Sequence, residues 1–178
     1  MLALKVHVPP ELIVDSRTAA EAARMGVSEL VREHLRSKNE ATRPNRLTAG
    51  MPKSDYWADA ADSVTSEVSG SVATVTVEKE GAALHYYGGV VYPKKKALAV
   101  PIDPSVAGIW PSEANALTDH IAMIWPKNSA HGFLKDTESG DLLWLLLPKA
   151  TVKADASVLP TDAEIERAAV EAIGEAVA

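Results

Sequence analysis

The chain contains no cysteine. That excludes disulfides, thiolate zinc sites, iron–sulfur clusters and cysteine nucleophiles together, and it leaves the redox compartment unmarked. Long apolar runs are also lacking. The longest is Leu142 to Leu147, six residues, where a membrane-spanning helix needs about 20. At the start, Lys5, His7, Pro9, Pro10 and Glu11 interrupt any stretch that could form a signal-peptide core, so the expectation is a soluble chain made and used without export. Basic charge is in deficit, with 18 Lys+Arg against 24 Asp+Glu. General nucleic-acid binding, which draws its affinity from neutralised phosphates, is disfavoured on that count. Catalytic signatures are missing too: no G-x-S-x-G, no phosphate-cradling loop followed by Lys-Ser/Thr, and no G-x-G-x-x-G after a strand. The five histidines, His7, His34, His85, His120 and His131, contain no i, i+4 pair, so neither a metal site nor a cofactor is expected.

What is present is enough for a core. At 178 residues a chain buries roughly 70% of its extended surface on folding. Thr18 with Glu21 reads as a capping box opening a helix over 18–37, whose apolar stripe is Ala20, Ala23, Val27, Leu30, Val31, His34 and Leu35. Residues 37–54 then form a long polar loop, either solvated or an arm that orders on a partner. From Arg32 to Lys53 there are six basic residues and two acidic ones, a local charge of +4. A short helix follows over 55–64, capped by Ser54, with Trp57, Ala60, Ala61 and Val64 on one face. The period then changes to two: Val68 to Lys79 alternates as a half-buried strand.

Further strands are expected at 90–92, 97–102, 121–125 and 142–154, each bounded by Gly, Pro, Asp or Asn. The segment 103–118 is a second long loop with a partial helical turn near 112–117. Thr161 and Glu164 form a capping box for a last helix to about 177. From Asp155 onward six carboxylates face one Arg167, a local charge of −5. Helices at both ends around mainly antiparallel strands define an α+β class.

Several features admit two readings. Gly88-Gly89 is a bend or a close backbone approach. His85 beside Tyr86 and Tyr87 is a semi-exposed aromatic strand end or an acid/base cluster. Lys94-Lys95-Lys96 is a solvated turn or a contact with an acidic surface. Leu142 to Leu147, apolar on both faces, is a covered central strand or one with a face reserved for a neighbouring subunit.

Four stretches carry a resemblance. Arg43-Pro44-Asn45-Arg46-Leu47 precedes the aromatic, alanine-rich Tyr56-Trp57-Ala58, Ala60-Ala61 and Ser63-Val64. Then come His85-Tyr86-Tyr87-Gly88-Gly89-Val90-Val91-Tyr92-Pro93 with Lys94 to Lys96, and Ala97-Leu98 with Pro101. An aliphatic strand leads to Lys149, and Asp155 with Val158-Leu159-Pro160 precedes the capped last helix. In order and spacing over about residues 16–178 the chain resembles the phage virion morphogenesis family, the Mu G-like and tail-completion proteins of tailed bacteriophages. It departs from the family's pattern at Thr48 to Lys53 and around Trp110.

The resemblance implies one tail-completion or neck domain over 1–178, not an enzyme and without cofactor. It also implies assembly in the host bacterial cytoplasm and residence in the virion, where the protein joins tail to head. Expected partners are further copies of the chain in a hexameric or dodecameric ring, together with the head–tail adaptor and the tail terminator or tube. Neither sequence-specific nucleic acid nor membrane is among them. Arg43, Arg46, Lys53, Tyr86, Tyr87, Lys94, Lys95, Lys96 and Trp110 are the candidate interface residues. The opposed patches of +4 and −5 suit head-to-tail contacts. The competing readings are a tail terminator, an adaptor in a phage-derived contractile machine, and a small hydrolase or ligand-binding domain using His85, His120 or His131 beside a carboxylate.

Overall fold

The computed structural model describes residues 1–7, 15–42, 54–113 and 120–177. Among these residues four α-helices and nine strands run in the order β1 (Leu2–His7), α1 (Ser16–Ala41), α2 (Tyr56–Asp62), β2 (Val64–Ser69), β3 (Val72–Val77), α3 (Ala82–Tyr87), β4 (Gly89–Val91), β5 (Leu98–Pro101), β6 (Ile121–Ile124), β7 (Gly132–Asp136), β8 (Leu142–Leu147), β9 (Ala150–Val152) and α4 (Asp162–Ala176). Every strand pair is antiparallel. The α+β class read from the sequence is the observed one: long helices near both ends pack on each other and α1 packs on an antiparallel sheet of β1, β2 and β3, while the remaining strands form antiparallel sheets of their own. The described residues fall into two compact units. One holds 1–42, 54–88 and 153–177; the other holds 89–152.

In the first unit, the cap of α1 lies three residues before the expected one. Asp15 is the N-cap, its carboxylate accepting from the Thr18 backbone N–H at 3.1 Å and from the Thr18 hydroxyl at 3.2 Å. Asp caps as well as Thr does. With the cap at 15, Thr18 becomes the third helical residue and Glu21 pairs with Arg24 at 3.0 Å instead of reaching back. The helix also continues to Ala41, so the expected loop over 37–54 loses its first residues to helix; its remainder, 43–53, lies outside the described residues. Val27, Val31 and Leu35 are fully buried, each worth about 1.5–3 kcal/mol of transfer from water.

Their partners are α2 through Trp57, Ala60 and Ala61, the hairpin through Val64, Val75 and Val77, and α4 through Ala169. Helix α2 is capped by Asp55, not Ser54, though the Tyr56 N–H donates to the Ser54 hydroxyl at 3.3 Å. It ends at Asp62, and Val64 opens a strand. The expected single strand over 68–79 is the hairpin β2–β3. Ser69 pairs with Val72 across Gly70 and Ser71, and Gly70 at φ +60° supplies the conformation a two-residue turn requires. Strand β1 completes the sheet in the order β1-β3-β2. Thr161 and Glu164 form the reciprocal capping box of α4 as expected.

In the second unit a four-stranded sheet has the order β5-β8-β7-β6, and β4 pairs with β9. The run 142–154 is therefore two strands serving two sheets. Leu142–Leu147 occupies an inner position between β5 and β7; a β-bulge at Leu143 shifts its register with β7, and Leu143 and Trp144 are both buried in one core. From Trp144 onward one face, Trp144 and Leu146, is buried and the other, Leu145 and Leu147, is half-buried. Val106, Leu143 and Trp144 form the core with Ala99, Ile121 and Leu134 against it. In the loop 103–118 a 3-10 turn at Pro104–Val106 is capped by Asp103, and part of the helical turn expected at 112–117 falls outside the described residues.

Candidate functional site

Tyr86 and Tyr87 lie at the end of helix α3, not at a strand end. The helix stops where it does because Gly88 takes φ +74°, and its N–H donates to the Leu84 carbonyl at 2.8 Å. A Cβ on Gly88 would sit 2.7 Å from the Ala154 nitrogen, so the sequence's glycine pair marks a close backbone approach as well as a bend. The Tyr86 and Tyr87 rings meet edge to face with centroids 4.8 Å apart. Tyr86 packs against the core of its unit, whereas Tyr87 is 69% exposed.

Beyond Gly89, strand β4 leads to Tyr92, 68% exposed, and to the exposed Lys94, Lys95 and Lys96. None of the three lysines enters an ion pair among the described residues. Trp110 is 70% exposed on a tight turn closed from both sides: its N–H donates to the Glu113 carboxylate at 3.2 Å, and the Glu113 N–H donates to its carbonyl at 2.8 Å. Of the nine expected interface residues, these six are placed on the surface or at its edge. Arg43, Arg46 and Lys53 lie outside the described residues.

The expected opposition of a +4 and a −5 patch needs revision. Arg32, Arg36 and Lys38 belong to α1, and each is engaged within its own unit. Arg32 donates to the Val64 carbonyl at 3.0 Å, Arg36 pairs with Asp62 at 3.3 Å, and Lys38 pairs with Asp155 at 2.9 Å. Lys38 thus joins one patch to the other inside one chain. The Asp155 carboxyl is pulled down to about 2, first by the Ser157 hydroxyl that donates to it at 2.6 Å and next by Lys38. Among the described residues the acidic excess is concentrated in the first unit, where seventeen carboxylates face nine basic side chains; the second has five against six.

The histidines are placed as follows. His85 packs on Tyr56 and Trp57, centroids 5.3 and 5.1 Å away, and not on Tyr86 or Tyr87. Lys38 and Lys79 cover the outer faces of Trp57 and Tyr56 at 5.5 and 5.6 Å. Burial, with Glu80 second, raises the Tyr56 phenol, whose hydroxyl donates to the Glu80 carbonyl at 2.8 Å. His120 lies 3.3 Å from Glu138 with both side chains largely in water, and His131 is exposed. Among the described residues no group of three or more His, Asp or Glu is arranged to hold a metal ion, and no helix is long and apolar enough to cross a membrane.

One exposed group escaped the sequence reading as a surface. Met123, Ile124 and Trp125, at and beyond the end of β6, are 57%, 39% and 45% exposed. Their signal was an uncharged run, Ile121 to Trp125, ended by Pro126. Compared with family models, curated proteins and solved structures, the chain matches none.

Proposed function

We infer that the chain is a non-enzymatic structural component of a tailed-bacteriophage virion, a tail-completion protein of the neck that joins tail to head and works as a ring of its own copies. The observation that carries this reading is the segment Tyr86 to Pro101. It bears the densest part of the family-like pattern, and it exposes Tyr87 in the first unit and, in the second, Tyr92 and three lysines that form no ion pair among the described residues. Exposed tyrosines supply contact area at small entropic cost, and clustered lysines suit an acidic neighbour. Their test is a triple substitution of Lys94, Lys95 and Lys96 by glutamate, in complementation of a phage or prophage deleted for this gene. The protein should accumulate folded while infectious titre falls by at least about tenfold, as expected when a steering patch is reversed. A normal titre removes these lysines from the contact.

A further inference from the structure

Antiparallel strands alternate between residues whose N–H and C=O face the partner and residues whose groups face away. In the sheet β5-β8-β7-β6 the two outer strands can be read residue by residue. Ile102, just past β5, donates to the Leu143 carbonyl at 2.9 Å, so the preceding residue, Pro101, which pairs with Trp144, has its nitrogen turned to the open side. Proline has no N–H to offer there, and this edge is blunted.

The other edge is not. Thr137 donates to the His120 carbonyl at 2.8 Å, and Ile121 pairs with Asp136. Ile121, Met123 and Trp125 therefore turn their main-chain groups outward. From Ile121 to Trp125 the edge has no charge and no proline, and β6 pairs with β7 alone among the described residues. The Trp125 ring is held in place. Its indole N–H donates to the Ser129 carbonyl at 3.2 Å, and it lies over Gly132 so closely that a Cβ there would overlap it.

We propose that β6 is a self-association edge, pairing antiparallel with β6 of a second copy about a two-fold axis at Met123. A contact that uses the same edge of both copies is isologous, and within this sheet the blunting at Pro101 leaves β6 as the edge open to pairing. The register follows from the outward residues: Met123 faces Met123 of the second copy, Ile121 faces its Trp125, and about six main-chain hydrogen bonds form. Each Trp125 then lies across from a β-branched side chain, a favourable cross-strand pair, and no like charges are brought opposite one another. The described residues of the unit that carries β6 hold six basic side chains against five carboxylates, so the acidic excess of the other unit does not oppose an approach there. The inference does not rest on the virion reading.

The test is solution mass by light scattering over a range of concentrations for the full chain, Met123→Lys, Met123→Glu and an equimolar mixture of the two variants. The native chain should reach twice its 18.9 kDa mass. Each variant alone should remain monomeric at concentrations where the native chain is dimeric, since identical charges face each other across the axis. The mixture should regain the dimer, a recovery that misfolding cannot produce. A native chain that stays monomeric throughout, association that persists in Met123→Lys, or a mixture that fails to pair overturns the proposal.

Discussion

Gly26 stands in the middle of α1 where α4 crosses it. A Cβ at this position would lie 2.7 Å from the Ala172 Cβ and 2.8 Å from the Ala168 carbonyl oxygen. Two effects of Gly26→Ala oppose each other. Helix propensity favours alanine by about 1 kcal/mol. Overpacking costs about 1–3 kcal/mol, and here the upper half of that range applies because one of the two contacts is a backbone oxygen that cannot rotate away. The net expectation is a loss of about 1–2 kcal/mol, or a melting temperature lower by roughly 2–8 °C for a chain of this size. Gly174→Ala is the control: it sits in α4, where an added Cβ would meet nothing within 4 Å, so propensity acts alone and stability should hold or rise by up to about 1 kcal/mol. Adding Ala172→Gly to Gly26→Ala should recover part of the loss and leave the carbonyl contact. Urea denaturation followed by circular dichroism measures all four proteins, the native chain included. A Gly26→Ala chain stabilised as much as Gly174→Ala would refute the close helix crossing.

Gly88→Val should lower stability by about 1–3 kcal/mol from the left-handed backbone alone, with the approach to Ala154 adding to it; an unchanged melting temperature by calorimetry would show that neither constraint operates. Asp155 predicts an acid limb. Its folded pKa is depressed to about 2 from an ordinary 3.8, so its stabilising contribution is present above the unfolded value and is lost as pH falls from about 4 toward 2. Asp155→Asn should flatten that part of the stability-versus-pH curve. Superimposable curves for the two proteins would count against the Ser157 and Lys38 contacts.

The parts of the fold legible in the sequence were those with a strong local signal. The capping box at Thr161 and Glu164 located α4, and the alternation from Val72 to Val77 located β3 with Ala73, Val75 and Val77 buried. Misreadings arose where two local signals competed. Asp15 and Thr18 are both good caps three residues apart, and the choice between them is made by the fold. Strand β1 carried a strand signal in Leu2, Leu4 and Val6 alternating with Ala3, Lys5 and His7, but so short an alternation does not name its partner, and its place comes from pairing with β3. Strand β7, Gly132 to Asp136, is short and follows a loop-like stretch; its partners β6 and β8 define it. Helix α3 is a single turn and a half whose Tyr86-Tyr87 end has strand-like composition. The exposed tyrosines and lysines could be named from sequence, but the pairing of Lys38 with Asp155 could not, because 117 residues separate them.

The most direct measurement of the functional account is electron microscopy of particles made by a phage or prophage lacking this gene, with and without the native chain supplied in trans. The account predicts filled heads and separate tails in its absence, and joined particles when it is restored. Normally joined, infectious particles in its absence would contradict it.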